Sequence, residues 1–166
     1  MSQLAVRNPS DDNLPSSQAL RRGRVSISGQ IYHVTSRAHG DTCSFADFRV
    51  ACVICSSFGE TAKRSGVRIL AWVLMPDHAH WLLELGDDAN LSKSVAALKR
   101  RSASATNASA GTKGASIWQD GFHDRALRRD EDLLTVARYI VANPLRAGLV
   151  SRLGDYPYSQ TESQKG

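Results

Sequence analysis

The sequence predicts an α+β fold, in which helices pack on one face of an antiparallel sheet. Segments with strand and helix patterns alternate in the order strand, helix, strand, strand, helix, strand. A length of 166 residues, with 42% hydrophobic and 22% charged residues, suits a single core of ordinary globular composition. We therefore expect one domain.

The N-terminal region divides into a polar tail and a first strand. Residues 1–22 contain turn-forming residues and almost no apolar periodicity, which predicts a flexible tail. A basic cluster at residues 21–24 leads into Ile31–Arg37, whose β-branched and aromatic residues predict the first strand.

A first helix is predicted from four residues at helical spacing: Phe45, Phe48, Cys52 and Cys55. It is expected to end at Ser65-Gly66. The chain has three cysteines, an odd number in one short region, so they are expected to be reduced. Because the single C-x-x-C lacks a second pair, buried packing is favoured over a zinc or redox site.

A β-hairpin is predicted at the centre of the chain. Residues 67–75 form a buried strand, Pro76-Asp77 a tight turn and His78–Leu85 the antiparallel return strand. Side chains alternate along a strand, so His78 and His80 project from one side and could share an ion. Two histidines alone are more often structural or merely exposed.

A second helix is expected to begin after Asn90, with Leu91, Val95 and Leu98 on one face. Residues 102–116 are rich in Ser, Ala, Thr, Asn and Gly, which predicts a loop, although the alanines would let the helix continue some way. A fourth, shorter strand is expected near residues 125–128. With it, the order of elements is that of the ferredoxin-like fold.

The last helix is predicted to start at Asp130 and to stop near Asn143, before Pro144. Tyr139 and Asn143 are four residues apart, so they lie one turn apart on the same side. A nucleophilic tyrosine with an amide oxygen beside it would suit chemistry at a phosphate. Without the histidines, a core tyrosine and a capping asparagine would be favoured.

Charge is distributed unevenly along the chain. Residues 1–90 carry nine Lys/Arg and nine Asp/Glu, whereas residues 91–152 carry eleven and five, a net charge of +6. We expect the partner-binding surface in this second half, with a solvated basic face as the alternative. The longest apolar run, residues 69–75, is far shorter than a membrane span, and the chain is expected to be cytoplasmic.

Two motifs together resemble the REP-associated tyrosine transposases, which are single-tyrosine HUH transposases of the IS200-like superfamily. They are Trp72-Val-Leu-Met-Pro-Asp-His-Ala-His-Trp-Leu-Leu-Glu84 and Tyr139-Ile-Val-Ala-Asn-Pro-Leu-Arg-Ala-Gly-Leu-Val150. The resemblance implies one HUH domain over residues 23–159 and a short C-terminal tail over residues 160–166. Asp77 departs from the pattern, since the family usually has asparagine there.

The resemblance also implies an activity: DNA transposition and recombination through metal-dependent nicking and strand transfer of single-stranded DNA at REP-like hairpins. Tyr139 matches the nucleophile, which forms a 5′-phosphotyrosine intermediate. His78, His80 and Asn143 match the ligands of Mg²⁺ or Mn²⁺. Ligand chemistry alone would permit zinc as readily. The resemblance implies no small-molecule cofactor.

Basic residues are the candidate DNA contacts. They are Arg21, Arg22, Arg24, Lys99, Arg100, Arg101, Arg125, Arg128 and Arg129. The resemblance favours a monomer, while exchange of the tyrosine helix in a homodimer stays open. Three other functions are alternatives: a catalytically silent regulatory protein that binds hairpin DNA, an RNA-binding module, and a two-histidine phosphoesterase. The last would require two separate histidine motifs.

Overall fold

The computed structural model describes residues 26–41 and 43–162. The strands are β1 (Ile31–Arg37), β2 (Val67–Leu74), β3 (His78–Leu85), β4 (His123–Ala126) and β5 (Ser159–Thr161). The helices are α1 (Phe48–Arg64), α2 (Leu91–Ala110), α3 (Leu133–Val141) and α4 (Asn143–Arg146), with short 3-10 turns at His39–Asp41, Ser44–Ala46 and Leu153–Asp155. The expected N-terminal tail, with Arg21, Arg22 and Arg24, lies outside the described residues.

The strands form one antiparallel sheet in the order β4-β1-β3-β2-β5. The first four follow the ferredoxin-like order, so the predicted α+β class is confirmed. β5 was not expected, because three residues are too few to show a strand pattern. It continues the sheet to Thr161, two residues past the expected domain boundary at residue 159.

One face of the sheet packs against α1 and α2. Along β3, alternate residues point to this face, and Trp81 and Leu83 are wholly buried there. The ring of Phe58 from α1 meets Trp81 edge-on, with centroids 5.3 Å apart. Fully burying an apolar side chain of this size stabilises the fold by roughly 1.5–3 kcal/mol.

The other face of the sheet packs against α3. Leu82 and Val73, which alternate with residues of the first face, are buried with Ala137 and Ile140 of this helix. The expectation placed the helices on one face, whereas only α1 and α2 lie together. The cause is that β2 and β3 have apolar side chains on both faces of the sheet. The apolar side chains on the second face are also buried, and α3 buries them.

The buried side of α1 differs from the predicted one. Phe48 is 68% exposed, whereas Ala51, Ile54 and Phe58 are buried. These three recur at the same helical spacing but on another side, which contacts the sheet. Phe45 is buried as well, but it lies in the 3-10 turn before the helix.

Other boundaries also differ from prediction. Residues 102–110, expected in a loop, complete α2, where the Ser102 and Thr106 hydroxyls donate to carbonyls one turn earlier. Gly111 ends this helix with a positive φ of 68°, a conformation that glycine adopts readily. β4 begins two residues before the expected fourth strand. In the described part of the chain, no helix combines the length and apolarity needed to cross a bilayer.

Replacing Gly86 with alanine is expected to lower the free energy of unfolding by about 1–3 kcal/mol. The Gly86 amide donates to the Gly66 carbonyl, and a Cβ on Gly86 would lie 2.6 Å from that oxygen. Urea denaturation measures the change. Gly59 in α1 is the matched control because a Cβ there meets nothing within 4 Å, so Gly59→Ala should stabilise by about 0.5–1 kcal/mol. Equal effects of the two substitutions would contradict this account.

Candidate active site

The two histidines of β3 lie together on the face that α3 partly covers. Their Nε2 atoms are 3.1 Å apart, and their rings meet edge-on with centroids separated by 4.8 Å. Alternation along the strand places both imidazoles on one side, as predicted. Both side chains are half-buried.

Asp77 orients His78. Its Oδ1 lies 2.6 Å from His78 Nδ1, so the ring donates its Nδ1 proton to the carboxylate. In this orientation, Nε2 of His78 is directed toward Nε2 of His80. Carboxylates in this arrangement commonly fix the tautomer of metal-binding histidines. The aspartate that departs from the family pattern therefore forms a hydrogen bond to the first histidine.

Two residues of β1 hold His80. Its Nδ1 lies 2.9 Å from Thr35 Oγ1 and 3.0 Å from His33 Nε2. Sequence reasoning missed both residues. The available signal was the alternation in β1, which places them on one face; the pairing of Thr35 with His80 comes from the sheet register.

Electrostatics keep His80 neutral. Burial lowers its pKa to about 3, and the positive charges of His78, His33 and Arg146 act in the same direction. Burial also lowers the pKa of His33, and the charge of Arg125 adds to that effect. At neutral pH, an uncharged imidazole offers a lone pair to an ion.

The separation of the two Nε2 atoms fits shared coordination of one ion. Two nitrogen atoms bound at about 2.1 Å, at a right angle, lie about 3.0 Å apart. Across residues 26–41 and 43–162, no group of three His, Cys, Asp or Glu side chains is arranged to hold a metal.

Packing of α3 places its C-terminal half over the histidine face. Ile140 is fully buried in the cluster that contains Leu82, which is two residues from His80 on the same side of β3. At the other end of α3, Leu133 and Leu134 line a cavity with Leu70. The helix therefore runs along β2 toward the turn that precedes His78.

The two candidate residues of this helix have different surroundings. Asn143 is half-buried and donates from Nδ2 to the Ile140 carbonyl, so its Oδ1 is the atom left for an ion. Tyr139 is 59% exposed, which leaves its phenol accessible to a substrate. Asn143 begins α4, because Pro144 fits the first turn of a helix.

The candidate DNA contacts are not equivalent. The Lys99 ammonium donates to the carbonyls of Gln119 and Gly121, so it holds the segment before β4. Arg125 binds both carboxylate oxygens of Glu131, at 2.7 and 2.9 Å. The remaining four are exposed: Arg100, Arg101, Arg128 and Arg129.

Strand pairing adds a basic residue that sequence reasoning did not single out. Arg37 pairs with His78 in the sheet register, and Thr35 pairs with both His80 and His123. Directly paired residues share a face of a sheet, so exposed Arg37 and His123 lie beside the histidine pair. This exposed part of the sheet face is called the basic face below and also includes Arg125.

Trp118 and the cysteines have structural surroundings. Trp118 is only 7% exposed and contacts Phe45, with ring centroids 4.6 Å apart. The cysteines described by the structure are free. Burial raises the pKa of Cys55 to about 12, with the nearby thiol of Cys52 adding to the shift, so little thiolate forms at neutral pH.

Comparisons with known proteins agree on one family. A model described as Transposase IS200 like matches residues 27–143. The REP-associated tyrosine transposase of Escherichia coli K12 is 36% identical over 93 residues, which cover 55% of this chain and 52% of that protein. A putative REP-associated tyrosine transposase of Haemophilus influenzae is 28% identical over 113 residues, covering 63% of this chain and 64% of that protein. The chain thus spans between about half and two thirds of these relatives.

Two solved structures have the same fold. A REP-associated tyrosine transposase bound to a REP hairpin superposes with a TM-score of 0.66 at 24% identity, over 82% of this chain and 79% of that one. A putative transposase from Deinococcus radiodurans R1 superposes with a TM-score of 0.53 at 21% identity, over 72% and 95% of the two chains.

Proposed function

Because this chain belongs to the IS200-like transposase family, we propose that it nicks and rejoins single-stranded DNA beside REP-like hairpins. Membership confirms the family resemblance found in the two motifs. One observation carries the proposal: two imidazoles meet at 3.1 Å on the sheet face over which the tyrosine helix packs. Such a pair, with an accessible phenol nearby, suits transfer of a phosphodiester to tyrosine.

In the proposed reaction, Tyr139 Oη attacks the scissile phosphorus. An O–P bond forms to the tyrosine and the bond to the 3′ oxygen breaks, which leaves a 5′-phosphotyrosine. The phenol loses its proton and the departing oxygen gains one, so a 3′-hydroxyl is released. Because the link keeps one phosphodiester-type bond, attack by a 3′-hydroxyl on the same phosphorus restores DNA and frees the tyrosine.

The residues around the phosphate have separate roles. When bound, Mg²⁺ or Mn²⁺ would supply positive charge that polarises the phosphate. His78, His80 and Asn143 Oδ1 would hold the ion, and Asp77, Thr35 and His33 would keep the two imidazoles oriented.

The protein is proposed to act as a monomer, in which Tyr139 and the histidine pair of one active site belong to the same chain. Support comes from Ile140, which is fully buried against the sheet of its own chain. Light scattering coupled to size-exclusion chromatography tests this assignment, and a dimer at micromolar concentration would contradict it.

Single-stranded DNA is proposed to cross the basic face beside the histidine pair. Arg37→Ala is then expected to weaken binding of hairpin DNA about 3–10-fold and to reduce the salt dependence by about one phosphate contact. Fluorescence anisotropy at several salt concentrations measures both. The matched control is Arg64→Ala, at the exposed C-terminal end of α1. Equal losses from the two substitutions would argue against this path.

Covalent capture tests the proposed activity. The native protein is incubated with Mn²⁺ and hairpin-bearing single strands labelled at the 5′ or the 3′ end, then separated on a denaturing gel. The 3′ label should migrate with the protein and the 5′ label should be released. Binding without any adduct would instead favour a catalytically silent hairpin-binding protein.

A further inference from the structure

We propose that Arg146 is a catalytic residue that stacks on the nucleophile Tyr139 and binds the scissile phosphate with its remaining guanidinium donors. The inference rests on the proposed function, because it assigns a further residue to the same phosphoryl transfer. Arg146 lies within the second sequence motif, but neither that motif nor the histidine pair assigned a role to it. It is assigned from its contacts with Tyr139.

Arg146 makes two contacts with the same residue. Its guanidinium carbon lies 3.7 Å from the centroid of the Tyr139 ring. Its NH1 group donates to the Tyr139 carbonyl oxygen, at 2.7 Å. The short α4 helix follows α3 after the single residue Ala142, and its last residue, Arg146, reaches back to Tyr139. One guanidinium therefore restrains both the ring and the backbone of the tyrosine.

Most of the binding capacity of Arg146 is not used by the residues that the structure describes. A guanidinium has five N–H donors in a planar fork, and one of them donates to the Tyr139 carbonyl. Within the described residues, no carboxylate forms an ion pair with Arg146, and its side chain is exposed. The planar fork matches the oxygens of a phosphate.

The position of this charge also favours an anion. The guanidinium lies against the ring of Tyr139, so its positive charge is placed beside the proposed nucleophile. The guanidinium and a metal ion bound by the histidine pair would repel each other. A phosphate between them removes the repulsion, because it attracts both charges.

A thermodynamic cycle tests the contact with the phosphate. Binding is measured in a Tyr139→Phe background, which keeps the ring and prevents cleavage. Hairpin DNA carries either the native scissile phosphate or an uncharged methylphosphonate there. Arg146→Ala should weaken binding of the native DNA about tenfold or more and should leave methylphosphonate binding nearly unchanged. Arg146→Lys should give an intermediate loss, because an ammonium keeps the charge without the fork.

The controls separate this role from a structural one. Arg152→Ala removes an exposed positive charge nearby in the chain and should affect both DNAs equally. Equal weakening of both DNAs by Arg146→Ala would overturn the proposal, since the arginine would then act only through protein structure. If Arg146→Ala fails to fold, the Lys variant is decisive: a loss confined to the native DNA supports the contact, and any other result contradicts it.

Failure of the proposed function would look different. If the native protein forms no adduct with any hairpin strand, the phosphoryl transfer itself is refuted, and the role of Arg146 with it. If the native protein forms the adduct and the cycle shows no coupling to the scissile phosphate, only the assignment of Arg146 is refuted.

Discussion

Replacing Tyr139 with phenylalanine is expected to abolish the covalent protein–DNA adduct while binding of hairpin DNA stays within about twofold. The substitution removes only the phenol oxygen, which is the proposed nucleophile. Its ring still offers a face to Arg146, and Tyr139 is 59% exposed, so stability should change by no more than about 0.5 kcal/mol. Labelled single strands with Mn²⁺ on a denaturing gel report the adduct.

The matched control for this experiment is Tyr158→Phe. Tyr158 loses the same atom, but it packs against the core cluster of the opposite sheet face. Its adduct yield should equal that of the native protein. An adduct that persists in Tyr139→Phe would assign the nucleophile elsewhere, and loss in both variants would indicate a general defect.

The second large effect is expected from His80→Ala, which should weaken Mn²⁺ binding and slow nicking by at least about 100-fold each. His80 faces His78 through Nε2, and Thr35 and His33 hold its other nitrogen. The alanine removes one of the two imidazole ligands and leaves these groups without their partner. Titration followed by electron paramagnetic resonance measures free Mn²⁺ without reference to activity.

Two further variants calibrate that result. His33→Ala removes a group that orients His80, so an intermediate loss of about 10-fold to 100-fold is expected. His39→Ala removes an exposed imidazole outside the strands and should leave Mn²⁺ affinity unchanged. Native Mn²⁺ affinity in His80→Ala would show that the histidine pair does not hold the ion.

The hairpin was the part of the fold most fully predictable from sequence. The return strand was predicted at His78–Leu85, where it is found, since turn residues and alternation are local signals. The prediction of the buried side of α1 was wrong. The side that contains Phe48 has a helical spacing as regular as that of the side that contains Ala51 and Ile54, which is the buried one. Only contact with the sheet distinguishes one helix side from another.

In the candidate site, too, local features were predictable from the sequence and contacts between distant segments were not. Tyr139 and Asn143 could be selected because their spacing within a helix is independent of the rest of the chain. Thr35 and His33 could not, because they reach His80 only through pairing of β1 with β3, strands more than forty residues apart in the chain. Likewise, Arg146 became notable only through its contact with the Tyr139 ring.

Sequence alone determined which donors are available and which of them share a side of a strand or helix, because those periods follow from backbone geometry. Tertiary structure decided whether the two elements face each other. The burial of Ile140 in one cluster with Leu82 brings the tyrosine helix to the histidine face rather than to the face of α1 and α2. That choice depends on which apolar surfaces of distant segments cover one another, and no local pattern contains it.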